Sequence, residues 1–325
     1  MKKIFSITII LLLVCSHLQV QSWGFWGHQR INRIAVFTLP PEMLTFYKEN
    51  IDFITEHAVD PDKRRYAIAA EAPRHYIDLE FYGTPPYKNI PHYWNDAVAH
   101  YGEDTLNAHG IVPWYVNSMF YRLADAFKAK DKERILHLSA DIGHYIADAH
   151  VPLHCTHNYN GQLTNQVGIH GFWESRIPEL FGDDYDFFVG KAEVIDKPND
   201  FIWKVIEGSA SEVDSVLTLE KMLSQNYPSD KKYGYEMRGT NSVKVYSKDY
   251  SKKYEEILDG MVERKMRAAI IAVGSFWYSA WVYAGKPDLN NLKDEPLTAE
   301  QQKELNEIET GWKNGKIIGR TEGDD

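Results

Sequence analysis

Apolar residues recur at helical spacing over residues 28–37, 115–127, 133–149, 201–217 and 254–284, while strict apolar/polar alternation is scarce. A period near 3.6 suits a helix that buries one face, whereas a half-buried strand needs a period of two, so the pattern predicts an all-α fold. Residues 270–281 are apolar almost all round, and Gly285-Lys286-Pro287 supplies a glycine stop with a proline after it. This reads as a buried central helix, because its apolar run is shorter than the roughly 20 residues that span a bilayer. No internal repeat or low-complexity stretch interrupts residues 23–285, which read as one multi-helix domain. Residues 82–113 and 155–168 mix Pro, Gly, His and aromatics without a period. They are expected to be long loops, where functional sites concentrate.

At the N-terminus, Lys2 and Lys3 precede an apolar stretch, 4–14, and Val20-Gln21-Ser22 offers acceptable residues before a cut. Residues 1–22 therefore read as a signal peptide, with Trp23 the mature terminus and the protein exported to the periplasm or the medium. Lipid attachment at Cys15 is the alternative, and it fits less well because Val14 stands where such signals prefer a small residue. Cys15 leaves with the leader and Cys155 stays single, so cohesion must come from packing or metals. Residues 286–325 are polar and read as a flexible tail with one short helix at 299–310. Lys+Arg of 36 against Asp+Glu of 46 gives −10, and the leader's two lysines without an acid leave −12 on the rest. No diffuse basic face exists to hold a nucleic acid, so a polyanionic substrate needs a local attraction such as bound metal.

Thirteen histidines are numerous for this length, and their spacing is more informative than their number. His144 and Asp148 stand four apart and share one face of a helix. Pro152 then breaks the helix and lets His154 turn back toward them, and His170 and Glu174 form a second pair at the same spacing. Two such pairs with a hinge histidine suit zinc, which takes nitrogen and oxygen ligands. Any one pair alone also reads as a helix-surface ion pair. Upstream, His75 and Asp78 follow Pro73, Asp60 opens Asp60-Pro61-Asp62-Lys63-Arg64, and His28 sits five residues after Trp23. By spacing alone, Asp60-Pro also reads as a turn or helix cap. His137, Asp141, His144 and Asp148 form a stripe in which Asp141 is placed to bond a liganding imidazole. Tyr76, Tyr93, Trp94, Trp114, Tyr159 and Trp173 lie near these motifs. They read as a base-stacking surface, an acyl pocket or plain core.

Taken together, Trp-Gly-x-x-Gly-His at the mature end, Asp…His-Tyr-Ile-Asp, His-x-x-x-Asp-x-x-x-Pro-Leu-His and His-x-x-x-Glu resemble the trinuclear zinc superfamily. That superfamily unites bacterial phospholipase C with the single-strand-specific nucleases of fungi and plants. The resemblance runs from Trp23 to Glu174 and implies the all-α fold of that type. It implies three zinc ions: Asp60, His75, His144 and Asp148 around the first, His154, His170 and Glu174 around the second, and Trp23 with His28 around the third. Asp148 would bridge the first and third. Lys63 falls three residues after Asp60, where the nucleases carry an arginine, so it offers a point charge in place of a fork, and Arg64 is the available substitute on the substrate. Asp78 is expected to orient the attacking water or to support His75, and Tyr76 to contact substrate.

The implied activity is hydrolysis of phosphate esters, first as a single-strand-specific endonuclease or 3′-nucleotidase, second as a zinc-dependent phospholipase C. A non-catalytic zinc-binding protein is the reading from another class. The expected partner is a phosphate-ester substrate, single-stranded nucleic acid or nucleotide in the first case and phospholipid in the second. No stable protein partner is implied.

Overall fold

The computed structural model describes residues 24–238, 241–290, 292–293, 298–315 and 317–320, so the leader and Trp23 lie outside the described residues. The helices of ten residues or more are α1 (Phe25–Ala35), α2 (Val112–Ala129), α3 (Lys132–Ala149), α4 (Pro198–Ala210), α5 (Val213–Asn226), α6 (Lys248–Ile257), α7 (Met261–Tyr283) and α8 (Ala299–Asn314). Among the described residues the fold is mostly helical, with one antiparallel hairpin, β1 (Tyr233–Arg238) paired with β2 (Asn241–Tyr246).

The central helices are set by local signals. The Asp131 side chain accepts from the Arg134 backbone N–H and caps α3, which ends just before Pro152. Leu123 and Phe127 of α2 and Ile135 and Ile142 of α3 are fully buried, so the two helices close on each other through aliphatic and aromatic side chains. α7 runs through the core as expected, and the Trp277 indole donates to the Ser139 carbonyl at 2.9 Å. Among the described residues no helix is long and apolar enough to cross a membrane. Two glycines let backbones approach closely. A Cβ at Gly274 would lie 2.0 Å from Thr38 Oγ1, and one at Gly143 would lie 2.1 Å from Asn32 Oδ1. The second contact draws α1 against α3 and stacks the His28 ring on that of His144, with centroids 3.8 Å apart.

Four expectations need correction. The continuous helix read at 201–217 is two, α4 and α5, because the chain turns at Ser211 and Glu212. The one at 254–284 breaks where Asp259 and Gly260 take left-handed φ values of 50° and 71°, which an unbroken helix does not accommodate. Residues 82–113 carry two short helices, Trp94–Tyr101 and Glu103–His109. The described part of the tail is docked: α8 buries Trp312 against Phe25, Val59 and Tyr66, with ring centroids 5.2 Å from Phe25 and 4.8 Å from Tyr66. One large aromatic at the end of an otherwise polar helix is enough to anchor it.

Candidate metal centre

Three groups of buried donors converge where α1, α3 and the loops after them meet. In the first, His75 Nδ1 lies 3.0 Å from Asp148 Oδ2 and 3.1 Å from His144 Nε2. Asp62 Oδ1 stands 3.6 Å from the same His144 nitrogen. In the second, Glu174 presents one oxygen to His154 Nε2 and the other to His170 Nε2, each at 3.2 Å. In the third, His28 Nε2 is 3.4 Å from Asp148 Oδ1. Asp148 thus turns Oδ2 toward His75 and His144 and Oδ1 toward His28, and His144 is common to two of the donor groups. Trp23, expected beside His28, lies outside the described residues.

The remaining ring nitrogens fix how each imidazole points. His144 Nδ1 donates to the Ala58 carbonyl at 2.9 Å, His154 Nδ1 to the His75 carbonyl at 2.6 Å and His170 Nδ1 to the Tyr159 carbonyl at 3.3 Å. Each bond leaves Nε2 facing the acids, the arrangement that orients ligating histidines. His170 lies just before a π-turn, Phe172–Arg176, that contains Glu174, a wider winding that is common at functional sites.

The register upstream differs from expectation. Asp60 turns away from the centre: its Oδ2 meets His57 Nδ1 at 2.5 Å, and Lys63 Nζ bonds its Oδ1 at 3.1 Å. Asp62, buried, stands beside His75 and His144 instead. On a short helix, positions 60 and 62 point to opposite sides, so only one of them can face α3. Lys63 is thus spent on Asp60. Arg64 is not placed on substrate either: it forks onto Asp141 at 2.9 and 3.2 Å and reaches Glu71 at 3.3 Å. Asp141 binds that guanidinium rather than a liganding imidazole. Counting three residues from Asp62 gives Arg65, buried and 4.0 Å from Asp62. The run Asp60-Pro61-Asp62-Lys63-Arg64-Arg65 reads equally well as Asp-x-x-Lys from 60 or Asp-x-x-Arg from 62, and that ambiguity hid both residues.

Spacing also missed Glu71. Fully buried, it sits 3.6 Å from His75 Nε2, receives Arg74 at 2.6 Å and accepts from the Tyr145 hydroxyl. Burial opposes its charge, yet the His75 hydrogen bond and the Arg64 and Arg74 charges hold it ionised far below the usual carboxylate range. Asp78 and Tyr76 are buried side by side with a different partner: Arg320 Nη1 reaches Asp78 Oδ1 at 2.7 Å.

The centre's electrostatics suit a cation. Burial and the nearby His144 push His28 down to about 3, keeping its ring neutral with a lone pair to offer. Burial also works against a charge on His144, but Asp148 and Asp62 carry it up to about 9. Burial raises Glu174, and His170 and His154 outweigh it, bringing the carboxyl to about 2. Asp148 is likewise held well below its ordinary value, against burial, by His144 and His154. Buried anions that attract protons onto imidazoles attract a divalent ion in the same place. Within each group the donor atoms all lie within 4.8 Å of one another, a spread that metal–ligand distances of roughly 2.0–2.2 Å accommodate. These buried His, Asp and Glu groups could each hold a metal ion. A fourth group, His57, Asp60 and His137, is half-buried, and there Lys63 already supplies a cation to the acid. Set against models of known protein families the chain matches none, and set against curated proteins it matches none either.

Proposed function

We propose that the protein is a zinc-dependent hydrolase of phosphate esters, of the trinuclear type that its motifs resemble, acting as a single-strand-specific endonuclease or 3′-nucleotidase. The observation that carries this reading is buried Asp148, whose Oδ2 faces His75 and His144 while its Oδ1 faces His28, beside a further donor group that adjoins through the His154–His75 hydrogen bond. Asp62, His75, His144 and Asp148 would hold one ion, His154, His170 and Glu174 another, and His28 with Asp148 and the expected terminus at Trp23 the third. Bound zinc supplies Lewis acidity toward phosphoryl oxygens and lowers the pKa of a ligated water.

The chain's own residues do the rest. Glu71 holds the His75 ring in orientation from behind. Arg65, with its planar fork, would meet phosphoryl oxygens, the role expected from the sequence of Lys63 or Arg64. The chain's own Arg320 guanidinium lies 3.9 and 3.6 Å from the ring centres of Tyr76 and Tyr159 and bonds Asp78. With that guanidinium displaced, the two rings would offer stacking faces and Asp78 an acceptor, a setting that suits a planar, N–H-bearing nucleobase better than an acyl chain and favours the nuclease reading over a phospholipase.

The test is to offer the zinc-loaded protein single-stranded DNA, RNA, 3′-mononucleotides and phosphatidylcholine side by side. Cleavage of the nucleic acids and release of phosphate from the 3′-nucleotides are expected. Turnover of phosphatidylcholine alone would establish the phospholipase instead, and three bound zincs without any turnover would indicate a binding protein. The ligand register has its own check. Asp62→Ala is expected to lose about one zinc by elemental analysis, the stoichiometry of one site losing an anionic ligand, and Asp60→Ala none. The opposite pattern would restore Asp60 as the ligand.

A further inference from the structure

The segment after α8 does not trail away from the body. Trp312 packs against Phe25 of α1, and residues 318–320 lie against Arg65, Ala72 and the Tyr76–Asp78 segment. The Ile318 N–H donates to the Arg65 carbonyl at 2.8 Å, and Arg65 Nη2 donates to the Arg320 carbonyl at 2.7 Å. Between these, Gly319 takes a left-handed φ of 98° and lies against Ala72, where an added Cβ would sit 3.1 Å from the Ala72 methyl. The Arg320 side chain then enters a slot. Its guanidinium stacks between Tyr76 and Tyr159, bonds Asp78 at 2.7 Å and reaches the Thr156 carbonyl at 3.4 Å.

We infer that residues 317–320 form an autoinhibitory strap that imitates substrate, with the Arg320 carbonyl occupying Arg65 and its guanidinium filling the planar-group slot. The inference rests on the proposed reading of Arg65 and the Tyr76–Tyr159 slot as substrate groups. The two side-chain engagements of Arg320 and Arg65 fall on the proposed substrate groups: the Arg320 carbonyl stands where a phosphoryl oxygen would meet Arg65, and its flat cation stands where a base would stack. Because the strap and a ligand compete for the same atoms, the apparent affinity for ligand falls by the fraction of time the groove is open.

Two readouts test this on the full chain, zinc-loaded, against Arg320→Ala and Arg320→Glu. In hydrogen exchange, the Ile318 amide is expected to be protected in the parent and to exchange at least about 10-fold faster in both variants, as local opening predicts. In calorimetry with adenosine 5′-monophosphate as the probe, both variants are expected to bind about 10- to 100-fold tighter, the range for a groove closed 90 to 99% of the time. Hydrolysis should show the same gain as a lower KM with kcat little changed. Rapid exchange at Ile318 in the parent, equal nucleotide affinity in all three proteins, or no nucleotide binding by any of them would overturn the strap. Tighter nucleotide binding by the variants without turnover of any phosphate ester would leave the strap standing and overturn the hydrolase.

Discussion

Asp148→Asn is expected to remove more than one equivalent of metal and to lower phosphodiesterase turnover by about 10³-fold, the scale for losing an electrostatic group aimed at the reacting centre. The amide keeps the shape of the side chain while deleting the charge that two donor groups share. Asp148 Oδ2 faces His75 and His144, and Oδ1 faces His28, so both groups lose their common anion at once. His170→Ala, by contrast, touches one group and should cost about one equivalent. Elemental analysis of the two variants side by side decides the matter: equal losses would show that Asp148 serves one ion only.

Stripping the metal with excess chelator is expected to lower the melting temperature by about 10 °C or more, since binding energy at a site assembled by folding is folding energy. Donors separated by as much as residues 28 and 174 meet in one place, and Cys155, the one cysteine among the described residues, is free and buried. No covalent link therefore ties α1 to the 170–174 turn. Without cations, the buried carboxylates of Asp62, Asp148 and Glu174 are left with imidazoles as their nearest partners, apart from Arg65 at 4.0 Å from Asp62. An unchanged thermal transition in protein shown to be metal-free would mean that packing alone holds the centre together.

The sequence revealed most where chemistry and helix periodicity coincide. His144 with Asp148 and His170 with Glu174 were legible because four residues make one turn, and the structure places each pair on a shared group. His154 was legible because Pro152 ends α3. Asp62 and Arg65 were not, because a run of six charged and turn-forming residues carries two registers two positions apart, and only packing against α3 chooses between them. Glu71 escaped because its role depends on which nitrogen of His75 faces Asp148, a fact of ring orientation that spacing does not encode. The β-hairpin escaped for a simpler reason. Its alternating residues, Val243-Lys244-Val245, make a short and mostly exposed pattern, and register with Tyr233–Arg238 is a long-range property. The tail was read from its polar composition, in which a single Trp312 carries almost no weight, although in the folded chain it is the anchor.

The hydrogen bond from His154 to the backbone of His75 joins two donor groups through one residue, whose ring serves one and whose carbonyl steers the other. Asp148 joins a second pair in the same manner. Filling any one position therefore stiffens a ligand of its neighbour, and the entropy lost in ordering that ligand is not lost again. If metal fills these groups, occupancy of one position should favour occupancy of the next, so that partly filled protein is expected to be scarce at intermediate metal concentrations.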